Sequence, residues 1–190
     1  LLPCIDFESI KRNPKIFLGI SDITVLLNAI NAKTGLVTFH GNDIKRGFGR
    51  NPTAYDKNEF VRMLMKDVKG EIPANGERKT IRSGKAKGRL IGGNAYCLLK
   101  LRNTEFWPDF TDAILFLEAY KPTEEQCVMG LSLLRELGVF DKIKGVYPII
   151  ALVGPRQAGK TTFLKEQAKT LKSNYILFDD PDARNLFEED

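Results

Sequence analysis

The stretch Pro14-Lys-Ile-Phe-Leu-Gly-Ile-Ser-Asp-Ile-Thr-Val25 constrains this chain more than any other. Ile16, Phe17 and Leu18 form a short apolar run that reads as a buried strand. Gly19 supplies a tight bend, and Ile23 to Ile30 is an apolar run of helix length. Ser21 therefore sits between strand and helix. A nucleophile elbow holds a serine in that position, with its hydroxyl exposed and the next backbone N–H free to bind an oxyanion. Asp22 follows at the helix start, where an acidic side chain favours the exposed N–H groups and the dipole. The plain alternative is that Ser21-Asp22 only caps a helix, and a four-residue G-x-S-D does not by itself choose between the two.

The rest of the composition narrows the class. A length of 190 residues allows one domain, or one and a fragment, and a hydrophobic content of 43% is ordinary for a folded protein. No run of 18 apolar residues is present, so no transmembrane helix is expected. Leu1-Leu-Pro-Cys-Ile-Asp6 lacks the basic lead and long apolar stretch of a signal peptide, and the absence of an initial Met reads as a cut front end. Cys4, Cys97 and Cys127 are odd in number and far apart, which suggests reduced, mostly buried thiols in a cytoplasmic protein. The single histidine, His40, argues against a histidine-built metal centre, and no metal site is expected. Much of the net charge of +5 lies in Arg78, Lys79, Arg82, Lys85, Lys87, Arg89, Lys100 and Arg102. No aromatic residues interleave the first six, so nucleic acid is a disfavoured partner.

Along the chain, residues 1–13 suggest a short helix leading into the elbow strand, and Gly35 is a natural terminator of the elbow helix. Leu36–His40 is strand-like, and Asn58–Lys69 reads as a helix with Phe60, Val61, Leu64 and Val68 on one side. Gly70–Gly93 is polar and glycine-rich, with hairpins or irregular strands expected, and Asn94–Arg102 has helical spacing. Ala113-Ile-Leu-Phe-Leu-Glu118 is the clearest buried strand. Thr123-Glu-Glu-Gln126 has the capping-box pattern, opening a helix to Leu137 with Val128, Leu131 and Leu134 as its apolar face and Gly138 as its stop.

Near Val146-Tyr147 the character changes. Pro148–Val153 reads as a buried strand running into Gly154-Pro-Arg-Gln-Ala-Gly-Lys-Thr-Thr162, which fits G-x-x-x-x-G-K-[ST] with a helix after it. In that pattern Gly154 and Gly159 let backbone N–H groups curl round a phosphate, Lys160 reaches the outer phosphates, and Thr161 ligates magnesium as Thr162 enters the helix. The strand Tyr175–Phe178 would complete the unit.

Residues 1–146 resemble the S66 serine peptidases, the family of LD-carboxypeptidases and microcin C immunity proteins. The resemblance is carried by Asn13-Pro-Lys-Ile-Phe-Leu-Gly-Ile-Ser-Asp-Ile-Thr24, Thr34-Gly-Leu-Val-Thr-Phe-His-Gly41, Gly92-Gly-Asn94, Ile114-Leu-Phe-Leu-Glu118 and Gly138-Val-Phe-Asp-Lys-Ile-Lys-Gly145. It implies Ser21 as nucleophile, Glu118 as the acid orienting a catalytic histidine, and the Asp22 backbone N–H as half of the oxyanion hole. It further implies a cytoplasmic hydrolase of amide bonds next to a carboxylate, in a murein tetrapeptide or a peptidyl-nucleotide toxin, with no cofactor. A homodimer is compatible with it. The family's other oxyanion donor, a glycine-rich segment, would precede Leu1, and its G-H histidine would follow Glu118 beyond the point where the pattern stops. His40 matches a different, structural position. A serine nucleophile without its base loses on the order of 10⁶ in turnover, so negligible activity is expected of this polypeptide alone.

Residues 147–190 resemble the opening of AAA-type P-loop ATPases, through Gly154–Thr162 and Phe178-Asp-Asp-Pro-Asp-Ala-Arg184. That resemblance implies Mg-ATP, bound weakly, as a second ligand; Asp179 and Asp180 come too soon to be the Walker B acids. The expected fold is α/β: a truncated LD-carboxypeptidase-like region over 1–146, followed by a strand–P-loop–helix–strand fragment over 147–190. An ATP-binding module and a non-catalytic remnant are the alternative functions.

Overall fold

The helix after the elbow organises the first part of the molecule. In the computed structural model, which describes residues 1–41, 44–66, 68, 70–75, 86–120 and 122–143, this helix is α2, Thr24–Thr34. Gly35, at φ 72°, closes it in the left-handed conformation that glycine adopts without penalty. Before it comes α1, Phe7–Arg12, whose N-cap Asp6 accepts a 2.8 Å hydrogen bond from Ser9 N. On either side of α2 in sequence lie β1, Leu18–Gly19, and β2, Phe39–His40, paired in parallel with Leu18 opposite Phe39 and Gly19 opposite His40.

The described residues fall into two compact units, 1–75 with 91–109 and 86–90 with 110–143. In the first, α1 and α4, Ala95–Leu99, both pack on α2. Ala29, Leu101 and Phe106 form a buried cluster flanked by Leu2, Phe7, Val25 and Trp107. The rings of Phe7 and Phe106 lie 5.6 Å apart, and Lys33 sits over Phe106 while pairing with Glu105. A further helix, α3 (Ala54–Phe60), starts at a reciprocal capping box between Thr53 and Asp56 and continues as a wider π turn, Val61–Met65.

In the second unit β4, Ala113–Glu118, alternates as a one-sided strand should: Ala113, Leu115 and Leu117 are buried, Ile114, Phe116 and Glu118 half-buried. Its sheet partner is β3, Arg89–Asn94, whose first two residues belong to this unit, with the Arg89 guanidinium donating to Thr111 O at 3.2 Å. Helix α5, Glu124–Glu136, packs on α6, Val139–Lys142, across Gly138 at φ 68°. Phe110, Leu115, Leu134, Val139 and Ile143 are fully buried.

Several expectations need correction. The elbow strand forms at Leu18–Gly19, sharing only Leu18 with the apolar run, and Ile16 is exposed. The helix expected at 58–69 starts earlier because the Thr53–Asp56 box fixes its N-terminus; Val68 is exposed. On α5 the buried stripe is Cys127, Leu131 and Leu134, at i, i+4 and i+7, while Val128 faces solvent. The thiols are mostly buried, as expected: Cys97 and Cys127 are, and Cys4 is exposed. The boundary at 146 and the whole of residues 147–190 lie outside the described residues. Among the described residues no helix is long and apolar enough to cross a membrane.

The capping box expected for α5 is present: Gln126 N donates to Thr123 Oγ1 at 3.2 Å, and Thr123 N donates to Gln126 Oε1 at 3.0 Å. Thr123→Ala removes both a side-chain acceptor and the geometry that the return bond needs. We expect a loss of about 1 kcal/mol in urea unfolding followed by circular dichroism.

Candidate active site

Ser21 is exposed and stands where the chain leaves β1 for α2, in a short 3-10 turn, Ser21–Ile23. Its φ is +60°, a left-handed conformation that costs a non-glycine residue about 1–2 kcal/mol. Ile20 before it is extended (φ −140°, ψ 166°), so the chain reverses sharply at the serine itself. A nucleophile elbow holds its serine in a strained strand-to-helix turn of this kind, and a simple N-cap does not require the strain. Gly19 makes the turn feasible: a Cβ there would lie 2.7 Å from Ile23 Cβ.

The helix start is anchored by the segment before α4. Thr24 is fully buried, and its Oγ1 accepts a 3.0 Å hydrogen bond from Asn94 N. Asn28, one turn along, donates through Nδ2 to Thr24 O at 2.9 Å and to Gly92 O at 2.8 Å. Gly93, at φ +127°, passes so close that a Cβ would lie 2.7 Å from Thr24 Cγ2 and 3.2 Å from His40 Nδ1. Gly92-Gly93-Asn94 is thus the strand end against which the elbow helix is seated.

Asp22 lies at the surface with its carboxylate tied down. Its Oδ1 accepts from Lys100 Nζ at 2.9 Å and from Cys97 Sγ at 3.1 Å. The Lys100 hydrogen bond, then that from Cys97, holds the Asp22 carboxyl below its ordinary range, and the same contact raises Lys100. Burial, followed by the carboxylate it faces, pushes the Cys97 thiol up, so this cysteine stays protonated and acts as a donor. The Asp22 backbone N–H lies in the turn that leads into α2, among the N–H groups that a helix start leaves without intrahelical acceptors.

Ser21 and Asp22, consecutive in the chain, both stand in the turn between β1 and α2. Glu118, at the end of β4 in the second unit, is half-buried with Oε1 shut off from solvent. His40 lies on β2 opposite Gly19 with both ring nitrogens buried. Gly154, Gly159, Lys160, Thr161 and Thr162 lie outside the described residues. Thr24, Asn28, Cys97 and Lys100 escaped the sequence reading, although a buried Asn and Thr inside an apolar helical run are a signal for such a network. Among the described residues no cluster of three His, Cys, Asp or Glu side chains is arranged to hold a metal ion.

Comparison with known proteins bears on family and fold. The LD-carboxypeptidase N-terminal domain profile matches residues 1–41, and the LD-carboxypeptidase C-terminal domain profile matches residues 87–173, running on past residue 146. The microcin C7 self-immunity protein MccF of Escherichia coli is 33% identical over 174 residues, 77% of this chain and 51% of that protein. The structure of MccF in its wild-type apo state superposes with a TM-score of 0.71 at 28% identity, over 89% of this chain and 60% of that one. Muramoyltetrapeptide carboxypeptidase from Oxalobacter formigenes gives 0.75 at 25% identity, over 89% and 59%. The chain spans about half the length of the curated relatives it matches. Its fold is the mixed α/β fold of these proteins, and with both halves of one family's pattern in order along it, the chain belongs to the S66 LD-carboxypeptidase family.

Proposed function

We propose that this chain carries the nucleophile and the orienting acid of a serine carboxypeptidase that hydrolyses amide bonds next to a carboxylate. The observation that carries the reading is the left-handed Ser21 between β1 and α2. In it the Ser21 hydroxyl attacks the amide carbonyl, and the Asp22 backbone N–H stabilises the oxyanion. Glu118 orients the base that takes the serine proton and passes it to the departing amine as the amide C–N bond breaks. Water then hydrolyses the acyl-serine, freeing the carboxylate product and the serine hydroxyl. Two substrate classes fit: murein tetrapeptides, and peptidyl-nucleotides. The second is supported by the structure of MccF in complex with aspartyl sulfamoyl adenosine, the first by the muramoyltetrapeptide carboxypeptidase.

His40 is the single histidine of the sequence, and its buried nitrogens suit a structural place better than that of the base. The polypeptide by itself is therefore expected to turn over slowly, and added imidazole to speed it. The test is release of D-alanine from a murein tetrapeptide, and of aspartate from aspartyl sulfamoyl adenosine, with and without imidazole. Release that imidazole stimulates and Ser21→Ala removes is the expected result. No release in either condition, where a full-length relative cleaves the same substrates, overturns the reading. The phosphate-loop pattern is a separate proposal, with Mg-ATP binding that Lys160→Ala removes as its check.

A further inference from the structure

Two donors from one short helix and its end converge on the carboxylate beside the candidate nucleophile. Cys97 Sγ and Lys100 Nζ both donate to Asp22 Oδ1, at 3.1 and 2.9 Å. A third tie, Asn94 N to Thr24 Oγ1 at 3.0 Å, comes from the residue that caps the same helix. Asn94, Cys97 and Lys100 recur every third position, so they lie along one face of α4 and its ends. That face grips residues 22 and 24, immediately after Ser21.

The grip is poorly explained as global stabilisation. The Asp22 and Lys100 side chains are 80% and 58% exposed, and water would satisfy both charges; pairs of this kind contribute little to folding. Its local effect is larger. Asp22 sits between a serine held at φ +60° and the start of α2, so a rotation of Asp22 moves the Ser21 hydroxyl and the Asp22 N–H together. A strained residue keeps its conformation only where its surroundings over-determine it.

We propose that Asp22 is a positioning residue. Its carboxylate, held by Cys97 and Lys100, fixes the elbow so that the Ser21 hydroxyl and the Asp22 backbone N–H stay aimed at one reacting carbonyl. This rests on the reading of Ser21 as the nucleophile. Burial of Cys97 supplies a donor that stays protonated, while exposed Lys100 supplies the charge.

The test compares the wild-type chain with Lys100→Gln and Lys100→Arg in two readouts. One is the rate at which a fluorophosphonate modifies Ser21; the other is the position of the Ser21 and Asp22 amide resonances in a ¹⁵N–¹H spectrum. Lys100→Gln is expected to slow modification roughly tenfold, since small misplacements of reacting groups have effects of that order or more. It should also shift both amide resonances, and Lys100→Arg should restore rate and resonances, with unfolding midpoints alike throughout. A wild-type rate and unshifted resonances in Lys100→Gln overturn the proposal. If wild-type Ser21 reacts no faster than other serines even with added imidazole, the nucleophile reading fails, and the resonances alone decide: displaced in Gln and restored in Arg supports positioning, unmoved overturns it.

Discussion

Ser21→Ala and Ser21→Gly are expected to be equally inactive and unequally stable. In the proposed reading both remove the attacking Oγ. A chain without its base already sits near what binding and the oxyanion donors supply unaided, so what both variants lose is the release that imidazole stimulates. Stability separates them because the position is left-handed, at φ +60°. Alanine keeps the clash between Cβ and the following carbonyl that disfavours this conformation, whereas glycine has no Cβ. The glycine variant should therefore unfold at higher urea than the alanine variant, by about 1 kcal/mol. The fluorescence of Trp107, the single tryptophan, reports this from within the first unit. A difference of this sign would mean that the wild-type serine stores strain that capping alone does not call for. An alanine variant as stable as the glycine one would remove that argument, and imidazole-stimulated release by Ser21→Ala near the wild-type rate would remove Ser21 from its role.

The elbow was legible in the sequence because everything that forms it is local. Gly19, Ser21, Asp22 and the apolar helix after them lie within one turn of each other, and local steric rules act over that distance. The same holds for Gly35, Gly138 and the Thr123–Gln126 box, each of which stops or starts its helix where its residue type predicts. What sequence could not give is the tertiary half of the site. Lys100 and Cys97 meet Asp22 from 78 and 75 positions further along the chain, and nothing in their own neighbourhoods marks them as its partners. Periodicity also left α5 ambiguous: Cys127 and Val128 are adjacent, both fit an apolar stripe with Leu131 and Leu134, and only packing buries the cysteine. Ile16 misled for a related reason. An apolar run marks surface that burial favours, yet this strand pairs over two residues only and leaves Ile16 57% exposed.

Gly93→Ala is expected to destabilise the first unit by about 3 kcal/mol or more, because two independent penalties meet at one atom. The first is conformational: φ at Gly93 is +127°, outside the range that a residue with a Cβ readily adopts. The second is steric, with the new methyl 2.7 Å from Thr24 Cγ2, 2.8 Å from Thr24 Oγ1 and 3.2 Å from His40 Nδ1. Thr24 is fully buried at the root of α2 and cannot swing away without releasing the Asn94 N–H that its Oγ1 accepts. Moving the strand instead would break the hydrogen bond from Asn28 to Gly92 O and leave a buried amide short of an acceptor, itself unfavourable. Gly35→Ala is the control. It shares the positive φ, at 72°, but meets nothing within 4 Å, so only the left-handed cost of about 1–2 kcal/mol applies. Urea unfolding of the two variants, followed by Trp107 fluorescence, should rank them in that order. A Gly93→Ala protein no less stable than Gly35→Ala would mean that the Gly92-Gly93-Asn94 strand is not seated against the elbow helix as described. If the seating holds, Ser21 should lose reactivity in Gly93→Ala even under conditions where the variant is fully folded, since the helix that follows Asp22 is displaced together with its anchor.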